Sequence, residues 1–258
     1  MNQAEPRAQI CTDRTRRSSI PSMLARPKPK HAYLTIQVIR GSISGVMPRP
    51  ASTTRDRIIL AAVELFYSQG YEATGMAQIL KKSRANSGSF YFFFKSKEQL
   101  LDAVLEWYLA HLDPIILHPV RAATQDPIER IFVLLDNYRQ KILMTDFTFT
   151  CPIGRLALEI DPARKRIHNK IAANFNGWTG AVRQFLQDAS QRLPSDTDLD
   201  QLALFVLTVM EGGVMQARAH RSIVPFDGSV AQLRHHLDHL QKLAANEIKS
   251  HKISGDKP

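Results

Sequence analysis

The chain has 258 residues, 44% of them hydrophobic, with a formal net charge of +10 and only two cysteines. That length and apolar content allow a sizeable core and exclude disorder throughout, while two cysteines exclude a disulfide framework and fit a reducing cytoplasm. No uninterrupted apolar run approaches the roughly 18 residues that span a bilayer, so no membrane association is expected. The charge is uneven: +7 falls in residues 1–50 and +4 in residues 52–97, leaving the remainder at −1. A basic module precedes a neutral one.

Residues 1–50 combine nine Lys and Arg with Pro21, Pro27, Pro29, Pro48 and Pro50, the composition of an extended, disordered basic segment. Its Arg- and Ser-rich character superficially resembles an organellar transit peptide, but it lacks a sustained amphipathic pattern, and Met47 offers an alternative start. Beyond Pro50 the pattern becomes helical. Ser52 or Thr53 caps a helix whose Ile59, Ala62, Val63 and Phe66 form one apolar stripe; Gly70 ends it, and Tyr71 folds back on Phe66 or Tyr67. Thr74 is expected to cap a short helix with Met76, Ile79 and Leu80 inward, complete by Ser83. Asn86 caps another, anchored by Phe90 and Phe94. Ser96-Lys97-Glu98-Gln99 has the form of a capping box opening a long helix through Leu100, Leu101, Val104, Leu105 and Tyr108. Further helices are expected over about 126–144, 153–161, 163–190, 198–220 and 229–249, with prolines near their ends and no strand-like alternation. The reading is all-α: a three-helix domain over 51–97, a larger helical domain over 98–250 and a polar tail over 251–258.

Two short helices around a tight turn, buttressed by a longer first helix, make a helix-turn-helix whose second short helix can enter a major groove. With Phe90 and Phe94 inward, Ser87, Gly88, Ser89, Tyr91 and Phe92 are left facing outward. Small residues allow close approach, the Tyr91 hydroxyl can reach a phosphate, and the helix opening at Ser96-Lys97 offers free N–H groups and a cation. Spacing alone fits an ordinary helical core equally well.

The residues add a resemblance. RIILAAVELFYSQGYEATGMAQIL followed by NSGSFYFFFKSKEQLL resembles the N-terminal domain of the TetR/AcrR family of regulators, matching at Phe66, Gly70, Tyr71, Thr74, Gly88, Phe90, Tyr91, Phe94, Ser96, Lys97, Glu98 and Leu100. The resemblance implies a recognition helix at about Asn86 to Phe92, phosphate contacts near Thr74, Tyr91 and Lys97, and a homodimer reading a pseudo-palindromic DNA operator. The expected DNA-facing set is Thr74, Arg84, Asn86, Ser87, Gly88, Ser89, Tyr91, Phe92 and Lys97. Two departures stand out: Arg84-Ala85 occupies a turn where the family usually has Gly-Val, and Phe92 stands where a polar residue is common.

The neutral half should then dimerise and bind a small-molecule effector, as the resemblance also implies. Leu202, Phe205, Val206, Val209 and Met210, with Gly212-Gly213 and Leu233, Leu237 and Leu240, suit a four-helix dimer interface or an intramolecular core. Thr150-Cys151-Pro152-Ile153-Gly154-Arg155-Leu156-Ala157-Leu158-Glu159 resembles a G-C-x-x-G-x-L-x-x-E stretch of one subset of such C-terminal domains, some of which answer to reactive electrophiles. Cys151, just before a helix start and one turn from Arg155, is expected to be a thiolate-prone effector contact or a merely packed cysteine. Trp107, Phe147, Cys151, Arg155, Phe175 and Trp178 are the expected effector residues. His235 and His239 sit at i and i+4, but no ligand set completes a metal site, and no metal or cofactor is expected. Walker A, G-x-S-x-G and H-E-x-x-H motifs are absent, which argues against an enzyme. The function expected is a ligand-responsive repressor released by a small-molecule effector, an electrophile being one reading of its chemistry; the alternative is a non-specific basic nucleic-acid binder driven by the N-terminal segment.

Overall fold

The computed structural model describes residues 53–255, with side chains through residue 249. The 1–50 segment, Ser52 and Cys11 lie outside the described residues. The described chain forms ten α-helices and no strand: α1 (Thr54–Gln69), α2 (Met76–Ser83), α3 (Ser87–Phe93), α4 (Lys97–Leu112), α5 (His118–Ala123), α6 (Pro127–Met144), α7 (Pro152–Glu159), α8 (Lys165–Asp188), α9 (Leu199–His220) and α10 (Val224–Gly255). A π-helical turn at Asp113–Leu117 joins α4 to α5, and a 3-10 turn at Ser190–Arg192 follows α8.

Capping chemistry sets most of these boundaries. At α1 the Thr53 hydroxyl accepts from the Asp56 amide at 3.2 Å while the Asp56 carboxylate accepts from the Thr53 amide at 3.2 Å, a reciprocal capping box. At α3 the Asn86 side chain accepts from the Ser89 amide at 2.7 Å. At α4 the box is only half closed: Ser96 accepts from the Gln99 amide at 3.1 Å, but the Gln99 side chain turns to the Lys95 amide at 2.6 Å. The expected Thr74 cap is a correction. Gly75 holds the cap position of α2, its amide donating to Gln78 at 2.7 Å, and Thr74 is buried with its hydroxyl donated to the Gly70 carbonyl at 2.5 Å.

Two boundaries differ from the sequence expectation. Prolines are expected near helix ends, yet the chain stays helical through Pro114 and Pro119, and α10 begins at Val224 rather than near 229. Pro225 stands in the second position of α10, where the missing N–H would have no intrahelical acceptor. Pro114 and Pro119 each stand one residue past a change of winding, from α to π at Asp113 and back to α at His118. Phe226, fully buried, then fixes the start of α10.

Two apolar cores organise the packing. The first joins Ile58, Val63 and Phe66 of α1 to Ile79, Phe90 and Phe94 and to Leu100, Leu101 and Val104 of α4, then runs on into Ile153 and Leu156 of α7 and Ile167 and Ile171 of α8. The second fills the bundle of α6, α8, α9 and α10 around Ile131, Leu135, Trp178, Val206 and Leu237. Ion pairs tie the cores' outer helices. Arg166 and Lys170 of α8 meet Asp102 of α4 at 2.6 and 3.0 Å, and Arg139 of α6 holds Asp227 of α10 through two hydrogen bonds of 2.8 and 3.0 Å. By length and composition alone α9 could cross a membrane, but one face of it, including Leu202, Ala203, Val206 and Met210, is buried in this bundle.

The junction between the cores turns on Gly70. Its φ of +96° and ψ of 163° fall in a region essentially confined to glycine, and an added Cβ would lie 2.6 Å from the Glu159 Oε1 and 2.8 Å from the Arg155 Nη2. Gly70→Ala is expected to cost about 2 kcal/mol or more, from backbone strain alone, and to lower Tm by roughly 5 °C or more in thermal unfolding followed by circular dichroism. An unchanged Tm would show that residue 70 leaves this backbone conformation, and the contact to α7, without cost.

Candidate DNA interface and effector cavity

The helix-turn-helix presents α3 on its outer face. Ser87 and Gly88 are exposed, Tyr91 is 55% and Phe92 77% exposed, and Phe90 behind them is fully buried. The structure therefore brings Arg84, Asn86, Ser87, Gly88, Tyr91 and Phe92 together on one accessible surface, with Ser89 partly covered and its amide tied to the cap. Arg84 ends α2 in the left-handed conformation, φ 53° and ψ 37°, which explains why glycine is usual there and puts an exposed guanidinium in the turn.

Two expected phosphate contacts sit differently. The Thr74 hydroxyl is buried and donated to Gly70, so its side chain is unavailable in this geometry. The Lys97 ammonium lies 4.2 Å above the Tyr71 ring and donates to the Glu72 carbonyl at 3.4 Å, and partial burial lowers its pKa. Lys97 thus belongs as much to the loop after α1 as to the surface.

Behind this domain lies a cavity of about 110 Å³ between the two cores. Trp107, Tyr108 and His111 of α4, Tyr138 and Lys141 of α6, Trp178 of α8 and Cys151 line it, and one wall is Tyr67, a residue of α1. The His111 ring stacks on Trp107 with centroids 4.2 Å apart, its Nδ1 2.8 Å from the Trp107 carbonyl. Tyr138 packs edge-on against Phe149 and Trp178. Of the expected effector residues, Trp107, Cys151 and Trp178 line the cavity. Phe147, Phe175 and Arg155 do not: Phe147, held at φ 60° in the turn after α6, packs on the bundle core, Phe175 packs against both cores, and Arg155 points back to the first domain.

Tyr67, His111, Tyr138, Lys141 and Asn174 were missed. Tyr67 and Tyr138 look like core aromatics at helical spacing, and Lys141 looks like an ordinary cation in a last helical turn; only the meeting of four helices gives them a common space.

Of the two readings of Cys151, its surroundings fit the packed one. It caps α7, accepting weakly from the Gly154 amide at 3.5 Å, but it is 4% exposed, and burial together with the neighbouring Glu211 carboxylate pushes its thiol well above the ordinary range. The Arg155 guanidinium, expected to favour a thiolate, donates instead to the Tyr67 carbonyl at 2.8 Å. Gly154 makes room for Glu211, whose carboxylate would lie 2.7 Å from any Cβ there. The protonated thiol is a poor nucleophile. In a Cys11→Ser background, Cys151 should react with iodoacetamide at pH 7.5 far more slowly in the folded protein than in denaturant, as followed by mass spectrometry; equal rates would restore the reactive-thiolate reading.

The far end of α7 grips the DNA-binding domain. The Glu159 carboxylate accepts from the Tyr71 amide at 3.0 Å and the Glu72 amide at 2.8 Å, and Arg155 lies 3.8 Å from the same carboxylate. One eight-residue helix therefore begins at the cavity and ends on the loop that leads into α2.

Comparison with known proteins agrees with this architecture. The family model for the N-terminal domain of bacterial regulatory proteins of the TetR family matches residues 58–104, and that for a tetracyclin repressor-like C-terminal domain matches residues 127–237. The uncharacterized HTH-type transcriptional regulator Rv0196 of Mycobacterium tuberculosis is 30% identical over 187 residues, covering 70% of this chain and 92% of that protein. The HTH-type transcriptional repressor DhaR of a Mycobacterium species is 24% identical, covering 67% and 86%. Among solved structures, regulatory protein TetR from Rhodobacter sphaeroides superposes with a TM-score of 0.63 at 22% identity, covering 72% of this chain and 99% of that one. A cysteine mutant of CifR complexed with 26-bp operator DNA gives a TM-score of 0.58 at 24% identity, covering 74% and 98%. The chain belongs to the TetR family of transcriptional regulators and carries that family's DNA-binding helix-turn-helix.

Proposed function

We propose that this regulator is a cytoplasmic repressor that reads a pseudo-palindromic operator as a homodimer and is released when a small molecule enters the cavity beside α7. The observation that carries the reading is the double role of two elements. Tyr67 of α1 is a cavity wall, and α7 joins the cavity at Cys151 to the Tyr71-Glu72 loop at Glu159. A ligand that displaces Tyr67 or α7 thereby moves the helix-turn-helix relative to the bundle, and the coupling is reciprocal between DNA and ligand. The buried, protonated Cys151 supports binding without covalent change, in place of the electrophile reading.

On DNA, α3 would lie in the major groove with Tyr91 on the backbone and Arg84 beside it; that CifR is seen with double-stranded operator DNA supports the same use of this fold. Dimerisation falls to the outward faces of α9 and α10. Of the two readings of Leu202, Val206, Met210, Leu233 and Leu237, interface or intramolecular core, their burial within the chain's own bundle fits the second. The faces left outward carry Leu204, Phe205 and Met215, 50%, 44% and 61% exposed, with Gly212 open above its backbone. Such a stripe on α9, with His236 of α10 packed edge-on against Phe205, suits a four-helix interface.

Purified protein should bind its own promoter DNA in the presence of excess competitor and lose it on adding one compound from a small-molecule library. Binding that any competitor abolishes would favour the non-specific basic binder. Glu159→Gln, which removes a charged acceptor of two amides, should keep promoter binding but need several-fold more compound for release; equal release would remove α7 from the coupling. Phe205→Glu should yield a monomer in analytical ultracentrifugation and cost at least tenfold in promoter affinity, whereas an intact dimer would place the interface elsewhere.

A further inference from the structure

The cavity holds a cation and no anion to match it. Lys141 lines it, with its ammonium 5.5 Å from the Tyr138 ring centroid, and among the described residues no carboxylate forms an ion pair with it. Burial lowers the pKa of that ammonium. Glu211, the acid near the cavity, is engaged with Cys151 and is itself raised toward its neutral form by burial.

A second observation points the same way. Tyr67 is 5% exposed, and its hydroxyl makes no hydrogen bond of good geometry, the Thr150 backbone only approaching it. Buried hydroxyls and ammonium groups left without partners are costly, and a ligand that supplies the partner recovers that cost on binding. The remaining walls are apolar, aromatic on one side (the stacked Trp107–His111 pair, Tyr138 and Trp178) and aliphatic elsewhere (Leu112, Ile115, Ile153). Asn174 has given both amide hydrogens to the Leu105 and Lys170 carbonyls, so the donors left for a ligand are the ammonium, the phenols, the indole N–H groups and the His111 ring, of which the ammonium alone carries a full charge.

Resting on the repressor reading above, we infer that the effector is a small monoanion, a carboxylate on a flat apolar body, with its charge on Lys141 and the Tyr67 hydroxyl. The cavity volume of about 110 Å³ is below the roughly 150 Å³ of an apolar cavity that accepts benzene, so a short chain fits the cavity as it stands and a single ring fits by displacing a wall such as Tyr67.

The chain's only two tryptophans, Trp107 and Trp178, both line this cavity, so intrinsic fluorescence reports occupancy without reference to DNA. Benzoate and butyrate are titrated into the full-length protein against benzamide and butyramide. The acids should saturate the signal and the amides bind at least about tenfold more weakly. Lys141→Gln should lose about tenfold in acid affinity and nothing in amide affinity, and Lys141→Arg should retain the preference for the acid. Tyr67→Phe, which removes only the hydroxyl, should weaken acid binding several-fold with an unchanged Tm, guarding against a misfolded lysine variant.

Equal binding of acid and amide, acid binding untouched by Lys141→Gln, or no response to either acid up to about 10 mM overturns the inference. Acids that bind but fail to release promoter DNA leave this assignment standing and remove the repressor reading. Release by neutral compounds alone does the reverse.

Discussion

The arrangement depends on one carboxylate. Glu159 accepts two consecutive backbone amides, those of Tyr71 and Glu72, just past the end of α1. Charge-assisted bonds of this kind are shorter and stronger than neutral ones, and a bidentate acceptor fixes direction as well as distance. The approach is possible only because residue 70 has no side chain: a Cβ there would fall within 3 Å of both carboxylate oxygens. Gly70, which in the sequence reads as a helix stop, is therefore also the socket into which α7 locks. Arg155 closes the contact from the other side through the Tyr67 carbonyl.

That joint gives the stretch from Cys151 to Glu159 a physical reading. Cys151 caps α7 at the cavity, Gly154 admits Glu211, Leu156 packs into the first core, and Glu159 holds the loop before α2. Four residues that look like a spaced motif are thus the contacts of a single short helix at four different neighbours. Such a helix has little stability of its own, since two turns barely exceed the nucleation cost, and its position is set by what it touches.

Much of this was legible in the sequence, for local reasons. The stripe Ile59, Ala62, Val63 and Phe66, the Asn86 cap and the Phe90–Phe94 pair are interactions within one turn or between adjacent helices, and they appear where the periodicity places them. Thr74 was misread because a threonine before a helix can cap it or turn inward to the preceding loop, and only the Gly70 carbonyl decides between the two. The cavity was only partly legible. Trp107, Cys151 and Trp178 stand out by residue type, whereas Lys141 and Tyr67, 74 residues apart in the chain, acquire meaning only where their helices meet. For α9 the apolar residues were visible but not their partition, since both faces are hydrophobic and a helical stripe cannot say which is covered by its own chain.

The two cores also bear on how a cavity this small can govern a surface some helices away. A ligand shifts a conformational equilibrium only by its difference in affinity for the two states. Here the wall that would sense the ligand and the element that would move are partly the same residue: the Tyr67 side chain faces the cavity while its backbone carbonyl is held by Arg155 of α7. No long chain of intermediates is needed, because α1 belongs to the DNA-binding core and to the cavity at once, Phe66 facing one and Tyr67 the other. Packed interiors resist graded deformation, so a ligand that cannot fit around Tyr67 in place would favour a second position of α1 against the bundle. Under the proposed function, that second position would be the two-state element on which release depends.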